Sequence, residues 1–212
     1  MNDQLVISGF CTLRQHRVVH NGKLLFEDPG SNTVEFLTAA YNHFRISYPK
    51  FHKMDQLAKL GFLTTEILLK DTDINSRYKA DRIGIILANS SSSLESDRNH
   101  QKTIASRDNY FPSPSVFVYT LPNVVIGEIC IKNKINGEGN FFVMERFDPL
   151  FFANYLPQLF NNDIVDCCIT GWTEVNGNDY ESVIFLIEKK KHTDVGIANF
   201  TASEIESVYI RK

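Results

Sequence analysis

The stretch GEGNFFVMERFDPLFF, Gly137 to Phe152, has a pattern on which several enzyme families mount a nucleophile. It reads as a turn, a short buried strand, a sharp bend and a helix. A strand-to-helix elbow can hold a nucleophile up beside helix N–H groups. Here the bend offers Met144, Glu145, Arg146 and Phe147, and none of them is a nucleophile. A Glu can serve as a general base, and an Arg can bind a carboxylate or a phosphate. The simpler account of Arg146 is an ion pair with Glu145, Asp148 or a neighbouring loop. The aromatics Phe147, Phe151, Phe152 and Tyr155 could line an acyl pocket, but at spacings of three and four they read first as core packing.

Other reactive side chains are scattered. Four serines follow one another in Ser90–Ser93, with no local histidine to activate them and no GxSxG elbow. They read as a strand exit leading into the cap of a short helix. The four cysteines, Cys11, Cys130, Cys167 and Cys168, form no CxxC pair and have no histidine at metal-ligand spacing. Cys167 and Cys168 are adjacent in an apolar strand, so their side chains point to opposite faces, and both read as reduced packing residues. The six histidines are dispersed, and no metal is expected. No Gly-rich loop follows a strand, so no nucleotide cofactor is expected.

The elements that must position the elbow can be read in order. Gln4–Leu13 is a buried strand, and Arg14–Gly30 is polar, with HNGK and DPGS as turn signals of a hairpin. Ser31 and Asn32 are cap candidates for a first helix. KMDQLAKLGFLTTEILLK places Met54, Leu57, Leu60, Gly61, Thr64, Ile67 and Leu68 on or near one helix face, with Lys59 and Lys70 off it. Asp71–Ala80 reads as a polar loop. RIGIILAN, Arg82–Asn89, is a nearly continuous apolar run, as expected of a central strand buried on both faces. VFVYTLPNVVIGEICIKNKI reads as helix by its length, with Pro122 at a kink or at the start of the second half. Asp148 and Pro149 open another helix as cap and first residue. DIVDCCITGWTEV and ESVIFLIEKKK are strands joined by the hairpin signal NGND. Trp172 beside Gly171 reads as structural, with some exposure at the strand end. Lys189–His192 reads as a solvated strand exit, and the last residues as a weak terminal element. Strands alternating with helices make this an α/β chain, its sheet mostly parallel with an antiparallel strand near the end.

The 212 residues contain 43% hydrophobic and 22% charged residues with a formal net charge of −3, which suits a packed core and argues against a nucleic-acid surface. No basic leader and no apolar run of about 18 residues is present. A soluble cytoplasmic protein without a membrane partner is expected.

Several segments together resemble the N-terminal half of β-ketoacyl synthases, condensing enzymes of the thiolase-like fold. LVISGF is similar to the opening strand. FHKMDQLAKLGFLTTEILL resembles the helix that begins with an aromatic, a basic residue and Met-Asp. RIGIILANSSSSLES resembles the next strand with its small-residue exit. FPSPSVFVYTLPNVVIGEICIKNKINGEGNFFV resembles the helix with Pro, Leu and Asn and the turn into the elbow strand. DIVDCCITGWTEV resembles the strand ending near Gly-Gly and an acid. The likeness spans residues 4–190 or so. It implies one thiolase-like domain over residues 1–212: an α/β half-fold with a mostly parallel, mixed five-stranded sheet and helices on both faces.

The resemblance also implies where chemistry would sit. The family's nucleophilic cysteine follows the elbow strand, and counting from Gly137 puts that slot at Arg146, within one residue, so Glu145, Arg146 and Phe147 stand where the thiol would be. Cys130 lies in the preceding helix, where it should pack rather than react. The family's histidine segments, His-Gly-Thr-Gly-Thr and Asn-Ser-Phe-Gly-Phe-Gly, are absent from this sequence. About two dozen residues follow the hairpin, too few for another strand-helix repeat. Loss of members of a catalytic unit costs orders of magnitude in rate. The expectation is a catalytically inactive relative with no catalytic residue and no cofactor, a structural or regulatory partner in fatty-acid- or polyketide-type biosynthesis of a lipid or pigment. Its partners would be a second copy or a full-length ketosynthase, and an acyl carrier protein. The alternatives are a module that binds acyl carrier protein or an acyl chain, and an acyltransferase-type enzyme using the Glu145/Arg146 elbow.

Overall fold

The computed structural model describes residues 4–106, 108 and 110–211. Its centre is β4 (Ile83–Asn89), in which every residue is buried. β4 pairs in parallel with β5 (Gly139–Val143) on one edge and with β6 (Cys167–Asn176) on the other. β7 (Asp179–Lys189) returns antiparallel along β6, and β1 (Leu5–Arg14) lies antiparallel to β7. Four of these five strands therefore point the same way, and only β7 opposes them. That is the expected mixed, mostly parallel five-stranded arrangement. Among the described residues the full sheet has eight strands. The expected hairpin supplies β2 (Arg17–His20) and β3 (Lys23–Glu27), which extend the sheet beyond β1. A two-residue strand, β8 (Ala198–Asn199), also pairs with β1.

Helices cover both faces because a strand like β4 has no polar side to show to water. One layer holds α1 (Thr33–His43), α2 (Gln56–Leu69) and α6 (Val124–Asn133). The other holds α7 (Pro149–Asn161) and α8 (Ala202–Ile210). Cys167 faces the first layer and Cys168 the second, the opposition expected of neighbours in a strand.

Local signals start the helices. Asn32 accepts from the Glu35 N–H while Glu35 accepts from the Asn32 N–H, a complete capping box for α1. Asp55 caps α2 by accepting from the Ala58 N–H at 2.8 Å. Pro122 falls in the turn between the short α5 (Pro114–Val118) and α6.

α2 departs from the one-sided helix read from its spacing. Ala58, Phe62, Leu63 and Thr65 are buried along with the expected face, because α2 sits on the sheet and is itself overlain by α1 and α6. Its polar interior atoms are satisfied locally: the Thr64 and Thr65 hydroxyls donate to the Leu60 and Gly61 carbonyls at 2.8 Å. Gly61 lets α6 approach, since a Cβ there would meet Val125 Cγ2 at 2.6 Å.

Four further readings are corrected by tertiary packing. The polar loop after α2 contains a short turn of helix, α3 (Ile74–Arg77), because Ile74 is drawn into the core. Lys189 is not solvated: it is buried, with its ammonium 3.3 Å from Asp166, while Lys190 and Lys191 are exposed as expected. Trp172 is only 3% exposed, because α7 and the elbow cover the strand end. The terminal element is a capped helix, α8, held by Thr201 and packed on α7. No helix among the described residues is long and apolar enough to cross a membrane.

Gly171 in β6 has φ +154, and a Cβ there would lie 2.0 Å from the Val183 carbonyl oxygen of β7. Nothing can give way in a paired backbone. Gly171→Ala should therefore lower unfolding free energy by about 2 kcal/mol or more. Gly177→Asn, in the β6–β7 turn at φ +66 with open space around it, should cost less than about 1 kcal/mol. Urea unfolding of both variants measures the contrast.

Candidate functional site

The carboxyl ends of β4, β5 and β6 meet at one edge of the molecule, the place where α/β sheets present ligand sites. The bend after β5 is fixed at both ends. At its start the Met144 N–H donates to the Asn89 carbonyl at 2.8 Å, continuing the β4–β5 pairing one residue past the strand. At its far end Phe147 is buried, stacked on Tyr209 of α8 at 4.2 Å and set edge-on to Trp172 of β6 at 6.0 Å. Asp148 then caps α7 by accepting from the Leu150 N–H at 2.9 Å. The elbow expected from the sequence is present as backbone.

Between these anchors Glu145 and Arg146 are exposed. Neither forms an ion pair or a side-chain hydrogen bond with another described residue. The expected pairing of Arg146 with Glu145, Asp148 or a neighbouring loop does not form among the described residues, and Asp148 instead serves the helix end. Of the three slot residues, Phe147 is a packing anchor and the other two reach into solvent.

Two β6 residues complete the site: Trp172, already read as structural, and Glu174, which was not singled out from the sequence. Glu174 holds the loop after β4: one of its oxygens accepts from the Ser90 N–H at 2.6 Å, the Ser90 hydroxyl at 2.7 Å and the Ser91 N–H at 3.2 Å. Its other oxygen is buried without a hydrogen-bond partner among the described residues, as is the indole N–H of Trp172 two residues earlier on the same face. The signal for Glu174 was an acid at the carboxyl end of a strand. The serines serve this loop. Ser92 is bracketed by the Asn89 amide through its N–H and carbonyl, both at 2.9 Å. Ser93, expected to cap α4 (Leu94–Ile104), donates to the Thr120 carbonyl at 2.7 Å instead, and its side chain makes no cap bond.

No thiol stands at the bend. Cys11, Cys167 and Cys168 are fully buried, and burial pushes each thiol up from its ordinary value. Cys130, on α6, is half-buried and shifted in the same direction by the same cause. A thiolate nucleophile needs the opposite environment.

The aromatic cluster divides. Phe147 and Phe152 belong to the core beneath α7. Phe151 and Tyr155 are half-buried and pack on Phe142 of β5, at 4.8 and 5.2 Å between ring centroids. The two most buried carboxylates lie away from the elbow and are neutralised. Glu128 meets Lys50 at 2.6 Å and the Tyr48 phenol at 2.9 Å, and burial together with the Glu128 carboxylate pushes that phenol up to about 12. Glu188 pairs with Arg77 and accepts from the Tyr78 phenol at 2.6 Å.

No protein-family model and no characterised protein sequence matches the chain. Solved structures do. A chain of the ishigamide ketosynthase/chain length factor superposes with a TM-score of 0.68 at 15% identity over 91% of this chain. A chain from a type II polyketide synthase complex of acyl-carrier protein and ketosynthase gives 0.67 at 12% identity, again over 91%. A β-ketoacyl synthase from Burkholderia phymatum gives 0.59 at 11% identity over 90%. The fold is that of a thiolase-like half. The chain spans 64% of the length of the first two structures and 60% of the third. At these identities the thiolase-like likeness is one of architecture.

Two measurements check this account of the elbow. Phe147→Ala should destabilise the chain by about 3 kcal/mol or more, as for other buried aromatics. Arg146→Ala and Glu145→Gln should each stay within about 0.5 kcal/mol of the parent in urea unfolding. In a disulfide-exchange titration at neutral pH, only Cys130 should react in the native protein, more slowly than a free thiol. The other three should appear on unfolding, and rapid modification of a second native thiol would contradict the burial.

Proposed function

We propose that the chain is a catalytically inactive, ketosynthase-like protein, acting as a structural or regulatory partner in fatty-acid- or polyketide-type biosynthesis in the cytoplasm. One observation carries the reading: the elbow keeps its backbone, its helix cap and its packing anchor, yet its two exposed positions are Glu145 and Arg146. Nothing at the bend can attack a thioester, and the four thiols sit elsewhere with their ionisation suppressed.

The similar structures indicate the kind of partner. One is a ketosynthase/chain length factor, and another pairs a ketosynthase with its chain length factor in Xenorhabdus doucetiae. By that analogy this chain would associate with a full-length ketosynthase, or with a second copy of itself. The apolar side chains Val143 and Leu150, 56% and 63% exposed on either side of the bend, suit such a contact. A second reading has its own support. Arg146, exposed and without a carboxylate partner among the described residues, leaves its guanidinium open to a phosphate such as that of a phosphopantetheine arm, and one similar structure is a complex of an acyl-carrier protein with its ketosynthase.

The test is co-purification with the ketosynthase encoded nearest to it, combined with intact-mass analysis after incubation with acyl-coenzyme A. A heteromeric complex, lost in Val143→Glu and Leu150→Glu, together with no acyl adduct and no turnover, is the expected result. A thermal shift with acyl carrier protein that disappears in Arg146→Ala, without complex formation, would favour the binding-module reading. Turnover that collapses in Glu145→Gln would make the elbow an acyltransferase-type site and end the proposal.

A further inference from the structure

On the opposite side of β1 from α2, the hairpin leaves a cavity of about 310 Å³ beneath the end of α8. Its apolar wall comes from Phe10 on β1, Val19 on β2, Leu24 on β3 and Val208 on α8. Val19 and Leu24 are direct cross-strand partners, so this wall is a continuous row across the hairpin. Three arginines are among the residues that line the same cavity: Arg14 at the end of β1, Arg17 at the start of β2 and Arg211 after α8. No carboxylate is among its described lining residues.

The placement of these charges is costly if nothing occupies the space. Arg14 and Arg17 stand directly opposite one another in the β1–β2 register, where like charges destabilise a hairpin. Their neutralisation within the chain is thin. Arg14 donates to the Tyr209 carbonyl at 2.6 Å and makes no ion pair with a described residue. Glu181, its partner on β7, accepts from the Tyr209 phenol. Arg17 has Glu27 at 3.6 Å, a pair about half exposed on both sides and so weak. Among the described residues Arg211 reaches the Ser207 hydroxyl, at 3.4 Å, and no carboxylate. A cavity with an apolar wall and three arginines along it, only weakly compensated by Glu27 and by the engaged Glu181, matches one ligand chemistry, an anionic head on an apolar tail. Its volume falls at the small end of the range for small-molecule sites, roughly 300–1,000 Å³. That favours a medium-length chain over a nucleotide or a full lipid.

We propose that this cavity binds a medium-chain anionic amphiphile, its carboxylate or phosphate taken by Arg14, Arg17 and Arg211 and its chain laid against Val19, Leu24 and Val208. The site lies on the hairpin side of β1 and does not depend on the reading of the elbow.

Titration calorimetry on the full chain tests it with decanoate, decyl phosphate and decanol, all below their micelle or solubility limits. Saturable one-to-one binding of at least one of the two anions, with decanol at least ten-fold weaker, is expected. A tighter decyl phosphate would identify a phosphate head, and a tighter decanoate a carboxylate. The double variant Arg17→Gln/Arg211→Gln, whose side chains are outside the core, should lose ten-fold or more for the anion and keep its urea midpoint. Lys102→Gln on α4, exposed and not among the residues that line the cavity, should bind as the parent does. Decanol binding as tightly as the anions, an unchanged affinity in the double variant, or no saturable heat with either anion would each overturn the assignment.

Discussion

The structure depends on the burial of β4. All seven residues from Ile83 to Asn89 are out of water, and both edges are paired in parallel. A strand with no solvent side requires helices above and below it, which dictates the two-layer cover. Its last residue then organises the edge where chemistry would occur. The Asn89 carbonyl takes the Met144 N–H of the elbow, and the Asn89 side chain takes both backbone groups of Ser92. Glu174, arriving on β6, takes Ser90 and Ser91. The elbow and the serine loop are thus suspended from the end of a single strand, and neither relies on a catalytic residue for its position.

The α7–α8 side adds a second tie. Phe147 stacks on Tyr209, the Tyr209 phenol donates to Glu181 of β7, and its carbonyl accepts from Arg14 of β1. One residue of α8 therefore joins the elbow, the centre of the sheet and the arginine-lined cavity. Burial and the neighbouring Glu181 carboxylate push the Tyr209 phenol up, so it remains a donor throughout the physiological range. Aromatic stacking of this kind adds about 1 kcal/mol beyond the area it hides. The terminal helix is accordingly an integral part of the layer and cannot be regarded as an appendage.

The features legible in the sequence were those set by neighbours a few residues apart. The apolar run of β4, the NGND turn between β6 and β7, the Asp148-Pro149 helix start and the capping residues Asn32 and Asp55 all act locally, and each lies where its residue types place it. What escaped was decided by distant parts of the chain. α2 looked one-sided because its second face is covered by α1 and α6, whose approach no periodicity reports. Lys189 belonged to a basic run yet is buried against Asp166, more than twenty residues earlier. Trp172 is covered by an elbow whose bend could be read but whose packing direction could not. Glu174 looked like a polar residue at a strand end, and its role appears only when the serine loop folds back onto it.

The surroundings of the bend also bear on what a reactive group there would meet. A helix N-terminus favours an anion placed at its first turn, and a nucleophilic thiolate draws on that preference. Here the position is already taken, since the Asp148 carboxylate accepts from the first turn of α7. Glu145 brings a second carboxylate to the same bend. A thiol at position 146 would meet two negative charges and a helix end whose N–H groups are partly spent, and like charges raise the pKa of an acid that must ionise. The geometry of a nucleophile elbow and the electrostatics of one are separable. In this chain Asn89 and Phe147 hold the bend in place, and Asp148 and Glu145 set two carboxyl groups beside it.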